Sequence, residues 1–540
     1  MVASLEHDDE GLFAWLLEVS EQDPSRVLLV HYDDGEEIST AAGELQDRAL
    51  RVAEGLRRLG LRTGDTLALW LPNRVSWFVT EFACAALGVA VMGLNTRFKS
   101  HEISHLLRTV NVSAVVMPES FLGIDFAMTL SMALDEIRKD VSDFPAPRLV
   151  IDGEVSTAHW TFDRSAVSLS SLEGAEGLTR HGDHRDAVMN LFTTSGSTSA
   201  PKVAGHDQAS IVRHSRAGAR ALGVRVGDRI LAALPMCGVF GFNSVMALLV
   251  GGGAAVLLSS FDAEEAARLL RVANISHVVG GDEMLGAMFA AVPADQSLPS
   301  LRRGGMANFA GRARDVVESA ERRWGVKLSG VYGSSELFAL SAIWPAGADV
   351  DRRVLGGGVP VDEGIHVRVV DAESGSLVAD GKSGELQFRG YNTITAYLNN
   401  PTATERSFTS DGWFRTGDLG YVDAGGFVYQ CRAREALRLR GFLVEPSEIE
   451  EYFSSNSTIE EVHVVGIDTD DGTRAIAFVK VMEGEDFDEE VLLESAKLHL
   501  ANYKVPSRAV RVDEFPTTTG TNGTKVRFEE LRELGRELLH

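Results

Sequence analysis

The sequence predicts a mixed α/β fold: a large N-terminal domain of helix-covered sheets with a β-barrel-like subdomain, followed by a small α+β C-terminal domain. Three observations carry this. Short apolar runs such as "VLLVHY", "TLALWLP", "AVVMP" and "RLVID" alternate with helical stretches as far as about residue 340, the pattern of parallel or mixed sheets covered by helices. From about residue 354, apolar and polar residues alternate between Gly-containing turns in "GIHVRVVDAESGSLVADGKSGELQFRG", which reads as antiparallel strands in a small barrel or twisted sheet. The last hundred residues return to mixed helix and strand, and a chain of 540 residues is too long for one core.

Taken in order, "ISTAAGELQDRALRVAEGLRRLG" is predicted helical because Leu45, Ala49, Val52, Leu56 and Leu59 recur at helical spacing. The uncharged run "ILAALPMCGVFGFNSVMALLVGGGAAVLLSSF" is long enough for a membrane span. Pro235, Asn243 and Gly251 to Gly253 divide it into strand, helix and strand, a buried β-α-β unit. Further strands are expected at "HVVGG" and "SGVYG". In the C-terminal part "EPSEIEEYFSS" and "EEVLLESAKLHLANY" read as helices, "EVHVVGI" and "AIAFVKV" as strands, with a hinge near "RAREALRLRG". No short repeat appears, which argues against a solenoid.

The formal charge is 52 − 77 = −25, so general binding to nucleic acid or anionic membranes is disfavoured and an anionic ligand needs a local basic site. Cys84, Cys237 and Cys431 are far apart and odd in number, neither a disulfide framework nor a metal pattern. The acidic start "MVASLEHDDE" lacks the regions of a signal peptide. A soluble cytoplasmic protein without a membrane span is expected.

Three stretches could carry chemistry. "TTSGSTSAPK", Thr193 to Lys202, follows the apolar "VMNLFTT" and precedes the helical "HDQASIVRHSRAGARAL", so it reads as a loop between a strand and a helix. Its N–H groups, hydroxyls and lysine suit a polyphosphate, although a plain surface loop has the same composition and Pro201-Lys202-Val203 is no Walker motif. "GVYGSSE" sets Glu336 just past a strand end, where a carboxylate can hold Mg²⁺ or simply face solvent. "DGWFRTGDLGYVDAGGFVYQCRAR" places Asp418 between Gly-lined turns with Arg432 after the next strand, suited to ribose hydroxyls or to capping a turn.

In this order, and with "GFLVEPSEIEE", "YKVP" and "TTTGTNGTK" after them, these motifs resemble those of the adenylate-forming superfamily of acyl-CoA synthetases, nonribosomal peptide synthetase adenylation domains and firefly luciferase. "WLPNRVSWFVTEFACAALGVAVMGLNTRF" and "AYLNNPTATERSF" extend the resemblance over most of the chain. The resemblance implies an adenylation domain over residues 1–433 and a mobile C-terminal domain over 434–540. It implies that Thr194, Ser195, Gly196, Ser197, Thr198 and Lys202 clasp the β- and γ-phosphates of ATP. Tyr332 would line the adenine pocket with Gly333 among the nucleotide-binding residues. Ser335 would meet the α-phosphate, Glu336 the Mg²⁺, and Asp418 and Arg432 the ribose. Lys525 is similar to the lysine that bridges carboxylate and phosphate. Arg434 and Glu435 fall at the hinge, Gly441 lines the pantetheine tunnel of coenzyme A, and homodimerisation is a family-level expectation.

The motifs depart from the family at Ser199, Cys431 and Arg434, and Thr524 separates Gly523 from Lys525. The stretch "LPMCGVFGFNSVM" has no acid that could anchor a substrate amine. Cys237, Val239, Phe240 and Phe242, with Met306, Phe309 and Ala310, could line an apolar pocket or belong to the core. An uncharged aliphatic or aryl carboxylic acid activated by ATP and passed to coenzyme A is the expected chemistry. Transfer to a carrier-protein thiol, or an ATP or acyl sensor without turnover, are the alternatives.

Overall fold

The computed structural model describes residues 10–155, 166–174, 176–179, 181–194, 202–309, 311–372, 374–423, 425–433, 437–439, 442–444, 446–469, 472–500, 502, 504–520 and 523–539. Contacts divide the chain into two compact units, residues 1–366 with 388–414 and residues 367–387 with 415–540. The predicted junction at 433/434 lies inside the second unit and borders residues 434–436, outside the described residues.

The first unit holds two sheets. One runs in the order 203–207, 188–193, 90–93, 66–69, 114–117, 148–151, 167–168, parallel except for the antiparallel pair 188–193 and 203–207. The other contains the parallel strands 327–332, 303–307, 277–281, 229–232, 254–257 and 27–33 in that order. Strands such as Ala90–Gly93 and Ala254–Leu257 are buried at every residue, as a sheet covered on both faces requires. The long uncharged run forms strand Arg229–Ala232, helix Val239–Val250 and strand Ala254–Leu257, the two strands pairing in parallel. Among the described residues no helix is long and apolar enough to cross a membrane.

One element differs from expectation. "ISTA" is not the start of a helix: Glu36–Ala41 is a strand paired with Val27–Asp33, and the helix begins at Ala42 and ends at Arg58. The reason is local. Asp34 and Gly35 both take positive φ, 46° and 85°, the backbone of a tight hairpin turn, and β-branched Ile38 and Thr40 favour the strand that follows.

In the second unit, residues 367–370, 384–387, 415–423 and 426–432 form neighbouring strands, the last two antiparallel with Asp418 opposite Arg432. Strands Ile459–Thr469 and Gly472–Val481 pair antiparallel, and Arg508–Arg511 joins them in parallel after helix Glu489–His499. A hairpin of Thr517–Gly520 and Gly523–Val526 and a closing helix, Phe528–Leu539, complete the unit. The sequence reading did not foresee that helix, which packs so closely that a methyl group on Gly535 would meet Ile467 at 2.8 Å.

The core of the first unit contains a titratable group. Glu81 is fully buried in helix Val75–Leu87 and accepts a 2.9 Å hydrogen bond from Asn190 Nδ2. Burial pushes its pKa up to about 8, and the nearby Cys84 thiol is raised as well. An unfolded glutamate releases its proton near the ordinary 4.5. Folding therefore retains a proton between these values, and stability falls as pH rises through that window. Glu81→Gln keeps the acceptor for Asn190 and removes the titration. Its melting temperature is expected to gain on the wild type progressively from about pH 5 to about pH 8, read by thermal denaturation; a pH-independent difference would exclude an ionising Glu81.

Candidate active site

Strand Val188–Thr193 delivers Thr194 to a neck where its N–H donates to the Lys202 carbonyl at 2.9 Å, and strand Val203–Asp207 returns antiparallel. The expected strand-to-helix loop is thus a hairpin loop. The helix begins only at Gln208, capped by Asp207, whose carboxylate accepts from Ser210 N at 2.7 Å. Ser195, Gly196, Ser197, Thr198 and Ser199 lie outside the described residues. Thr194 is buried, and among the described residues its Oγ1 has no hydrogen-bond partner.

The second loop leaves strand Lys327–Tyr332. The Tyr332 ring stacks on Phe388 at 5.3 Å and 12°, and Gly333 follows. Ser335–Leu337 is a single helical turn, after which Phe338, Ala339 and Leu340 all take positive φ, at 55°, 51° and 32°. Such a reversal brings Ala339 against Gly333, where a methyl group would lie 2.5 Å from the Ala339 carbonyl carbon. Only glycine fits there.

Side chains join the two loops. Ser335 Oγ donates to the Thr193 carbonyl at 3.0 Å, and His206 Nε2 donates to the Ser335 carbonyl at 2.7 Å. Burial lowers the His206 pKa to about 4, so the ring stays neutral with its proton on Nε2. Tyr397 donates its hydroxyl to Glu336 Oε1 at 2.7 Å, and Lys202 Nζ sits 4.2 Å from the centre of the Tyr397 ring. Among the described residues Lys202 makes no ion pair and Glu336 Oε2 accepts no hydrogen bond. The structure therefore gathers Thr194, Lys202, Ser335 and Glu336, and adds Tyr397 and His206. Tyr397 lies in "AYLNNPTATERSF", where no local pattern marks it, because its partners Glu336 and Lys202 are 61 and 397 − 202 = 195 residues away.

The remaining predicted residues are placed as follows. Asp418 is buried in the second unit and pairs with Arg432 at 3.0 Å; its N–H donates to Thr416 Oγ1, and Arg432 donates to the Thr416 carbonyl at 3.1 Å. Lys525 lies in a hairpin strand opposite Thr518. Its side chain, like Gly441, Arg434 and Glu435, falls outside what is described. Cys237, Val239, Phe240 and Phe242 share one apolar cluster, and burial pushes the Cys237 thiol up to about 12. Met306 does not join them. It packs in the cluster of Val278 and Leu328, and its neighbour Ala307 is the residue of that strand that faces the Cys237 cluster. Strand alternation sends Met306 to the opposite face, which removes it from the expected pocket. Phe309 is 43% exposed and Ala310 lies outside the described residues. A polar cavity of about 670 Å³ lined by Arg48, Ser76, Asp152 and Glu173 contains none of the predicted residues.

Among the described residues no group of three or more His, Cys, Asp or Glu could hold a metal alone. One open carboxylate oxygen suits Mg²⁺, which is usually held by one or two carboxylates together with substrate phosphates. The buried hydroxyls of Thr194 and Ser334, which find no partner among the described residues, fit the same ligand, since buried polar atoms are normally hydrogen-bonded.

Among the described residues, then, an ammonium without an ion pair and a carboxylate with an open oxygen meet through one tyrosine, an arrangement suited to a metal-bound phosphate. The chain belongs to the AMP-binding enzyme family, whose pattern matches residues 16–398, and the AMP-binding enzyme C-terminal domain matches residues 448–521. It is similar to the 2-succinylbenzoate–CoA ligase of Bacillus licheniformis, with 27% identity covering 93% of this chain and 96% of the relative. It also resembles the medium-chain acyl-CoA ligase ACSF2 of Danio rerio, with 26% identity covering 95% and 86%. The fold matches ATP-bound MatB from Rhodopseudomonas palustris with a TM-score of 0.82 at 23% identity, covering 98% of this chain and 99% of that one.

If the orphaned hydroxyls serve a ligand rather than the scaffold, removing them costs binding and not stability. Thr194→Val and Ser334→Ala are each expected to weaken ATP binding by about tenfold while melting at or above the wild-type temperature. Calorimetry and thermal denaturation read the two effects, and a loss of stability with unchanged binding would assign the hydroxyls to the scaffold.

Proposed function

We propose that this enzyme activates an uncharged aliphatic or aryl carboxylic acid with MgATP and transfers the acyl group to coenzyme A, releasing AMP and pyrophosphate. The observation that carries the reading is the Lys202–Tyr397–Glu336 assembly beside Ser335, a cation and an open carboxylate held on the two loops that the motif order assigns to ATP. The relatives named above are acyl-CoA ligases by name, which supports coenzyme A as the thiol.

The substrate carboxylate and the triphosphate repel each other, so positive charge must be in place before they meet. Lys202 would face the β- and γ-phosphates, and Glu336 would hold Mg²⁺, which when bound would offset charge on the phosphates. The flat Tyr332–Phe388 pair offers a stacking face for adenine. Asp418, oriented by its pair with Arg432, would take the ribose hydroxyls. Lys525 bridges the acid and the α-phosphate. A carboxylate oxygen then attacks the α-phosphorus, the bond to the β-phosphate oxygen breaks, and pyrophosphate leaves. In the second half-reaction the thiolate sulfur attacks the acyl carbon, the bond to the AMP oxygen breaks, and the thiol proton passes to solvent.

Val239, Phe240 and Phe242, which we take to border the acid site, carry no charge, so a second charged group on the acid would be desolvated without a partner. This favours a neutral side chain. Cys84, Cys237 and Cys431 are buried thiols, which suits the cytoplasm to which we assign the enzyme.

The protein is incubated with MgATP and a panel of straight-chain, branched and aryl acids, with and without coenzyme A, and products are read by mass spectrometry. The expected outcome is AMP, pyrophosphate and one class of acyl-CoA, with Lys525→Ala losing adenylate formation by at least about a hundredfold while still binding ATP. Adenylate without thioester would point to another thiol. No pyrophosphate with any acid, and no effect of Lys525→Ala, would overturn the catalytic reading.

A further inference from the structure

We infer that Tyr397 is the positioning residue that sets the metal-binding carboxylate and the phosphate-binding ammonium at the same time. The inference rests on the reading of the site as a MgATP site and assigns a residue that the motifs left without a role.

Tyr397 is buried at 3% exposure and anchored on three sides. Its N–H donates to Thr404 Oγ1 at 3.0 Å, its backbone bridges Ala204, and the next residue, Leu398, donates to the Val203 carbonyl at 3.0 Å. The same segment reaches the other loop, where Ile394 N donates to the Glu336 carbonyl at 2.9 Å. The backbone around Tyr397 is thus tied to the strand after Lys202 and to Glu336 itself, and the ring cannot shift without moving both.

The two ends of the side chain do different work. The hydroxyl occupies Glu336 Oε1 at 2.7 Å, which fixes the carboxylate plane and leaves Oε2 to accept a cation. The ring face lies 4.2 Å from Lys202 Nζ. A cation over an aromatic face is attracted by the ring quadrupole, which seats the ammonium without neutralising it. A carboxylate there would hold Lys202 just as well but would cancel the charge that phosphate needs. Tyrosine holds the lysine with a neutral group and orients the glutamate with the same side chain.

Removing only the hydroxyl should therefore affect the metal, and removing the ring should affect the phosphates too. Calorimetric titration of the full chain compares ATP with Mg²⁺ and ATP in EDTA. Tyr397→Phe is expected to weaken MgATP binding by about tenfold and leave metal-free ATP within about twofold. Tyr397→Leu is expected to weaken both. In a Glu336→Gln background, which has already lost the metal preference, Tyr397→Phe should add nothing, because the two act as one unit. A Tyr397→Phe protein that prefers MgATP as strongly as wild type overturns the inference. So does equal weakening of both forms, which is what general loosening of the loops would give. Wild-type protein that binds neither form of ATP instead overturns the nucleotide reading on which the inference stands.

Discussion

The chain must reverse direction immediately after Glu336, and much of the site follows from how it does so. Three consecutive residues without the freedom of glycine, Phe338, Ala339 and Leu340, sit in the left-handed region, at a cost of about 1–2 kcal/mol each. The surroundings offset that cost with specific bonds. Ala339 N donates to the Ser334 carbonyl at 2.9 Å, Asn392 Nδ2 to the Leu337 carbonyl at 2.8 Å, and His214 Nε2 to the Ala339 carbonyl at 3.0 Å. Phe338 is driven into a cluster of rings with Phe192, His206, His214 and Phe242. Strain held this way makes a loop single-valued, because any relaxed alternative would strand several buried groups at once.

The aromatic cluster links the turn to the rest of the site. His206, beneath Phe338, also donates to the Ser335 carbonyl, and it remains neutral because burial keeps its pKa near 4. A charged imidazole here would place a buried cation beside the phosphate loop and would lose the fixed tautomer. The neutral ring behaves as a rigid spacer between the strand that follows Lys202 and the loop that carries Glu336.

Much of this was legible in the sequence. The β-α-β unit of the uncharged run and the strand before Glu336 followed from local pattern, since each depends on residues near one another in the chain. The failures have physical causes. The Asp34-Gly35 turn outcompeted a helical pattern, strand alternation sent Met306 to the opposite face, and the antiparallel pairing of Val203–Asp207 with Val188–Thr193, together with the Asp207 cap, set the helix start at Gln208. Tyr397 was illegible as a site residue because its importance lies in two long-range contacts that no local pattern encodes.

The antiparallel return of the chain after Lys202 has an electrostatic consequence. A loop that runs straight into a helix can draw on the partial positive charge of the helix N-terminus to bind an anion. Here the strand Val203–Asp207 intervenes, and the helix N-terminus is already capped by the Asp207 carboxylate, so that contribution is spent within the protein. On the proposed reading, in a chain of net charge −25, the attraction for a triphosphate must then come chiefly from discrete cations. That places unusual weight on Lys202, and explains why its ammonium is seated on the face of a neutral ring and not against an acid. A pairing carboxylate would have secured the lysine and silenced it.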